Sequence, residues 1–246
     1  MDYVVAIPSY KRSDQLPNKT LSSLREGNIP RDKIYIFVVQ EELELYTASC
    51  PGYNIVIGKI GLVEQRTFIQ DYFPVNTYIV FLDDDLKQIY RPTSAKTKEV
   101  ITDLHPVLVR MIDRMNQEEV TICGVYPVDN IMFSFNSKEV TTDLKYLVGA
   151  FYIIKNTQDQ DVMVKPSEIS HEDKYRTIYY YMKEKKTLRF NHIFFKTKYF
   201  GKGGMDSPDR LDLHNKGSIT LCFRYSSLVK LKVTKKGLVD VAFRRL

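Results

Sequence analysis

Tyr78-Ile79-Val80-Phe81-Leu82-Asp83-Asp84-Asp85 decides the fold. Five apolar residues in an unbroken run read as a strand buried on both faces, and three consecutive carboxylates end it. Three adjacent aspartates repel one another, so their place at the end of a buried strand requires a cation or several hydrogen-bond donors. Hard oxygen ligands suit Mg2+ or Mn2+, which such clusters share with substrate phosphates. A lone Asp-Asp pair would read as a solvated turn, but the preceding apolar run points to a metal-diphosphate clamp.

Working outward, Tyr3 to Ile7 is a second buried run, ended by Pro8-Ser9-Tyr10. A helix follows, with Pro17 in its first turn and Gly27 and Pro30 closing it. Ile34 to Val39 and Asn54 to Ile57 read as strands, Glu41 to Ser49 as a short helix, and Leu62 to Phe73 as a helix opened by Gly61. This alternation predicts an α/β protein with a mostly parallel sheet covered on both faces. Such sheets bind ligands beyond the carboxyl ends of their strands, where Asp83 to Asp85 stand.

Further along, the spacing predicts a helix over Leu104 to Met115, strands over Val120 to Tyr126 and Tyr146 to Ile154, and a helix from Ser170 to Lys186. Leu188 to Phe195 reads as a strand and Lys196 to Met205 as a Gly- and Lys-rich loop. The chain closes on a hairpin, Lys230 to Thr234 with Leu238 to Phe243, turned by Lys235-Lys236-Gly237. Residues 1–210 are expected to form the main domain, and 211–246 a helix and hairpin packed on it.

The 246 residues carry a formal charge of +6. From Lys196 onward twelve Lys and Arg face four Asp, a balance of +8, so the first 195 residues carry −2. The basic segment is either a solvated face or a phosphate-contacting one. Cys50, Cys123 and Cys222 lack any paired spacing, which argues against a disulfide framework or a structural zinc site. No apolar run approaches the ~18 residues of a membrane span and no leader is evident. A soluble protein of the cytoplasm, the host's if the source is viral, is the expectation.

Arg66 falls on the apolar stripe of its helix, so its charge needs a partner, either an aspartate of the cluster or a nucleotide phosphate. Ser170-His171-Glu172-Asp173 has the spacing of a capping box. A carboxylate at that helix start can also take a proton from an acceptor hydroxyl. Lys196, Lys198 and Lys202, among Gly201, Gly203 and Gly204, form a basic loop that is either plainly exposed or closes on phosphates. His192 and His214 are isolated histidines without ligand spacing.

Taken together, Ile7 to Arg12, Gln65-Arg66, Phe81 to Asp85 and His171-Glu172-Asp173 resemble the GT-A glycosyltransferases. With Lys196-Thr197-Lys198-Tyr199-Phe200 and Gly203-Gly204, the chain to about Arg210 is similar to the TET-associated glycosyltransferases of bacteriophages. The resemblance implies a GT-A, Rossmann-like fold and a nucleotide-sugar donor, most simply a UDP-sugar. It implies donor contacts from Pro8, Ser9, Tyr10, Arg12, Arg66, Asp83, Asp84, Lys196 and Lys198. It further implies Asp85 as direct metal ligand with Asp83 beside it, and Asp173 as general base with Glu172 its partner in the x-E-D element. Where many GT-A enzymes place a metal-binding His, this chain has Lys196 and Lys198; either a lysine shares the neutralisation or His214 reaches in.

Relatives of this group are implicated in glycosylating hydroxymethylated pyrimidines in viral DNA. That implies a DNA acceptor, for which Lys202, Gly203, Gly204, Lys230 and Lys232 are candidate contacts. Two other functions fit the same residues. A GT-A enzyme extending a surface glycan would transfer only to glycans, and a non-catalytic nucleotide- or nucleic-acid-binding module would be indifferent to Asp85→Ala.

Overall fold

The computed structural model describes residues 2–197, 210–234 and 237–245. In chain order the elements are β1 (Tyr3–Pro8), α1 (Thr20–Glu26), β2 (Ile34–Val38), α2 (Leu43–Ser49), β3 (Asn54–Ile57), α3 (Leu62–Tyr72) and β4 (Tyr78–Leu82). There follow β5 (Gln88–Pro92), β6 (Lys98–Val100), α4 (His105–Gln117), β7 (Ile122–Val125), α5 (Ile131–Phe135), β8 (Val140–Thr141) and β9 (Phe151–Lys155). The chain ends with α6 (Glu172–Glu184), β10 (Leu188–Phe190), β11 (Phe194–Lys196), α7 (Arg210–Arg224), β12 (Val229–Val233) and β13 (Val239–Phe243).

Eight strands form the central sheet in the order β3-β2-β1-β4-β9-β7-β10-β8. The first four are mutually parallel, β9 runs antiparallel between β4 and β7, and β10 returns parallel to β7. The expected mostly parallel sheet is therefore present, and β1, β4, β7 and β10 all end at one edge. That edge collects Ser9, Asp83 and Tyr126. One face of the sheet packs on α1 and α4 through Leu21, Leu24, Leu108, Met111 and Met115. The other packs on α3 and α6 through Ile69, Phe73 and Tyr180. A smaller cluster of Ile178, Leu221, Val229 and Val241 joins α6 to α7 and the hairpin.

Several boundaries differ from the sequence reading for identifiable reasons. The expected strand Tyr146 to Ile154 begins only at Phe151, because Tyr146 to Gly149 turn inward to meet α3 and α6. Leu188 to Phe195 is two strands: Asn191 spends its side chain on Lys138 O and breaks the run, sending β11 to a second sheet of order β11-β5-β6. Leu188 to Phe195 is apolar on both sides of this break, so periodicity gave no sign of it. The capping box expected at Ser170 and Asp173 is absent. A 3-10 turn over Pro166–His171 precedes α6 instead, with the Glu168 carboxylate accepting from Lys165 N at 2.9 Å. The closing hairpin is present, with Lys235 and Lys236 outside the described residues.

Asn156, fully buried after β9, locks the end of α3. Its Nδ2 donates to Gln70 O and Phe73 O, both at 2.8 Å. Asn156→Ala leaves those carbonyls without a donor, and we expect a loss of about 2 kcal/mol, read as a lower urea midpoint at unchanged m-value.

Candidate active site

The aspartate cluster is wrapped by the loop that leaves β1. Ser9 Oγ donates to Asp84 Oδ2 at 2.7 Å and lies 2.7 Å from the Tyr46 hydroxyl. Arg12 Nη1 contacts both Asp84 and, at 3.2 Å, Asp85. Lys11 turns the chain in the left-handed region at φ 55°, held by the Glu42 carboxylate accepting its N–H. Asp84 thus points into protein and is buried. Burial raises its pKa, against the pull of Arg12.

Asp83 is the open member of the cluster, whereas Asp85 is mostly buried between Arg12 and Thr197. Asp83 keeps 36% of its side-chain surface open and accepts from Arg66 Nη2 at 3.0 Å. Desolvation raises its pKa, Arg66 opposes the rise, and Asp85 and Asp84 add to it. Asp85 accepts from Thr197 Oγ1 at 2.6 Å, which ties β11 to the end of β4. Thr20 Oγ1 donates to Asp83 O at 2.7 Å and accepts from Leu86 N, so the start of α1 fixes the turn itself.

Of the two readings of Arg66, the structure contains the internal ion pair. Its guanidinium bridges Asp83 and Glu172 and donates to Gly149 O at 2.9 Å. Glu172 is also paired with Arg176 at 2.7 Å. Both guanidiniums lie against Tyr152, at 5.6 and 3.7 Å from its ring centre, and Tyr152 stacks on Phe81 across the β4–β9 pair. Gly149 is required here: a Cβ would stand 2.7 Å from Glu172 Oε1 and 3.0 Å from Arg66 Nη1.

Asp173, next to Glu172, accepts at Oδ2 from the Tyr146 hydroxyl and from Gly149 N at 3.4 Å. Among the described residues its Oδ1 has no hydrogen-bond partner. A base needs such an open lone pair directed away from its orienting donors. The contacts run Asp83, Arg66, Glu172, Asp173, Tyr146 without a gap. Asp83, Asp84, Asp85, Glu172 and Asp173 are five carboxylates; Arg12, Arg66 and Arg176 are three guanidiniums. The balance of −2, with the open Asp83 carboxylate next to the hard oxygens of Asp85, fits one divalent cation.

The remaining candidates are distributed as follows. Pro8 ends β1 beside Phe37, and Tyr10 lies under Lys11 Nζ at 4.9 Å. Lys196 is exposed on β11, one residue before Thr197. Lys198, Lys202, Gly203 and Gly204 lie outside the described residues. Lys230 and Lys232 are exposed on β12, away from the aspartates in sequence and paired with Ala242 and Asp240 of β13. His214 does not stand alone: its ring lies tilted against that of His171, centres 4.5 Å apart, and with Asp240 the two imidazoles form a cluster capable of holding a cation. Lys174 and Ser218 already bond Asp240 and His171 there. Tyr146, Gly149, Thr20 and Thr197 escaped the sequence reading, because a hydroxyl or a glycine carries no signal until the fold aims it.

This sheet, with an acidic strand end facing a carboxylate-bearing helix start, is the architecture of a GT-A glycosyltransferase. The profile of the TET-associated glycosyltransferases matches residues 3–204, and the chain belongs to that family. Among solved structures, the S. aureus TarS fragment 1–349 in complex with UDP-GlcNAc is similar with a TM-score of 0.59 at 14% identity, covering 90% of this chain and 67% of that one. The same fragment in complex with UDP gives 0.54 at 12% identity, with 90% and 66% covered. Against the longer TarS structure the chain spans 40% of the length, at a TM-score of 0.54. At these identities the likeness is one of fold. No curated protein matches the sequence. No helix among the described residues is long and apolar enough to cross a membrane.

His171, buried at the start of α6, gives the site a pH signature. Burial, with Lys174 and His214 adding, lowers its pKa from 6.5 to about 3. The unfolded chain takes up this proton below about pH 6.5 and the folded chain only near pH 3. The stability contributed is therefore complete above pH 6.5 and is lost as pH falls toward 3, by up to about 1.4 kcal/mol per pH unit. Urea midpoints of wild type should fall more steeply than those of His171→Gln across that window; parallel curves would refute the assignment.

Proposed function

We propose that this glycosyltransferase transfers a sugar from a nucleotide-sugar donor, a UDP-sugar, to the hydroxymethyl group of a modified pyrimidine in viral DNA. The observation that carries the catalytic part is the unbroken line from Asp83 through Arg66 and Glu172 to Asp173. It holds a base with an open Oδ1 beside the carboxylates that face the donor diphosphate. The basic C-terminal segment and the family's name support a DNA acceptor.

In this reading residues 1–210 carry the donor site and 211–246 extend it toward the acceptor. Pro8, Ser9, Tyr10 and Arg12 border the nucleotide, and Arg12 and Lys196 lend positive charge near its phosphates. Asp85 and Asp83 would hold Mn2+ or Mg2+, which would supply Lewis-acid stabilisation of the leaving diphosphate. Asp173 Oδ1 takes the proton of the acceptor hydroxyl as that oxygen bonds to the anomeric carbon. The bond from that carbon to the diphosphate breaks, and its electron pair leaves with the nucleoside diphosphate. Glu172 keeps Arg66 and Arg176 in place, and Tyr146 and Gly149 orient the base.

Incubation with nucleotide sugars and hydroxymethylated DNA, followed by mass spectrometry of the digested nucleosides, tests this. Wild type should add one glycosyl mass to the modified nucleoside. Asp173→Asn should lower kcat by about 10^2–10^4-fold with donor binding retained, and Asp85→Ala should abolish turnover. Transfer to glycans alone would overturn the acceptor, and no nucleotide-sugar turnover by folded protein would overturn the enzyme.

A further inference from the structure

Beside Tyr146 lies a cavity of about 330 Å3 between Leu144–Tyr146, α6, β10 and β13. Its lining includes five cations, Lys145, Lys174, Arg189, Arg244 and Arg245, against one carboxylate, Asp240. Two of the five are internally compensated: Lys174 by Asp240 and Lys145 by Asp143. Arg189 is different. It is nine-tenths buried, yet among the described residues no carboxylate lies within ion-pair distance of it. Its Nε donates to Asn191 Oδ1 at 2.7 Å and its Nη1 to Tyr146 O at 3.3 Å, its guanidinium lies 5.3 Å from the Tyr126 ring centre, and among the described residues no acceptor takes Nη2. A buried guanidinium without an anion is costly unless an anion arrives. Arg244 and Arg245 are exposed at the rim.

The cavity is also aromatic. Tyr146 and Phe243 stack at 6.0 Å with 19° between their planes. Cations around a stacked aromatic pair suit a phosphate and a base together better than they suit a bare anion. The position discriminates between donor and acceptor. Tyr146 both lines the cavity and contacts Asp173, whereas Asp83, Asp85 and Arg66 do not line it. The β12–β13 register pairs Lys230 with Ala242 and Lys232 with Asp240, two residues of the cavity lining.

We propose that this cavity binds a phosphodiester-linked nucleotide of the acceptor strand, with Arg189 and the rim cations on the phosphate and Tyr146 and Phe243 beside the base. The site rests on the reading of the enzyme as one that acts on DNA. It adds a second task for Tyr146, which orients Asp173 and walls the acceptor.

Fluorescence anisotropy of a short labelled single-stranded DNA, titrated at several salt concentrations, tests it. The paired substitution Arg244→Gln with Arg245→Gln removes the two rim charges. Lys155→Gln with Lys186→Gln removes two from the opposite edge of the sheet. We expect the cavity pair to weaken binding about tenfold and to lower the salt slope by about one per cation. The control pair should change affinity less than about twofold, with both melting as wild type does. Equal losses in the two pairs, no loss in the cavity pair, or no DNA binding by wild type would each overturn the site. DNA bound through the cavity without sugar transfer to any modified base would keep the site and sink the proposed reaction.

Discussion

Five carboxylates converge on one sheet edge, and the fold is arranged to make that tolerable. Arg66 does most of it from inside α3. A guanidinium there is planar, charged at every relevant pH and holds two carboxylates at fixed directions in one plane, which the ammonium of lysine does not impose. It ties the end of β4 to the start of α6, two elements 89 positions apart when counted from Asp83 to Glu172. Breaking such a buried pair on one side strands a charge at a cost of about 3–5 kcal/mol. Asp83, Glu172 and Asp173 are thereby mechanically one object.

The support for that object is aromatic as well as ionic. Tyr152, opposite Phe81 in the β4–β9 ladder, carries both Arg66 and Arg176 on its ring. A ring beneath a desolvated cation offsets part of what burial removes. The same sheet pairing that sets the strand order therefore sets where the guanidiniums rest, and through them where Asp173 stands.

Much of this was legible in the chain. Tyr78 to Leu82 announced a buried strand, the aspartates marked its carboxyl end, and Arg66 on an apolar stripe announced a buried partner. What was hidden depended on tertiary placement. Asn191 breaks a run that reads as one strand, and Ser170 looks like a helix cap while Glu168 accepts the backbone N–H one turn earlier. Tyr146 sat inside an apolar stretch that read as strand, and only the inward turn before β9 aims its hydroxyl at Asp173. His214 had no ligand spacing because its companions come from residues 43 positions before it and 26 after it, His171 and Asp240.

The stacked pair Tyr146 and Phe243 has a further consequence. Phe243 lies well past residue 204, where the family profile stops. Asp83, Arg66, Glu172 and Asp173 thus lie in the part of the chain shared with the family, while a ring from outside it leans on Tyr146, which contacts Asp173. Changes in the tail can therefore move Tyr146 while leaving the aspartate cluster and its guanidiniums as they are.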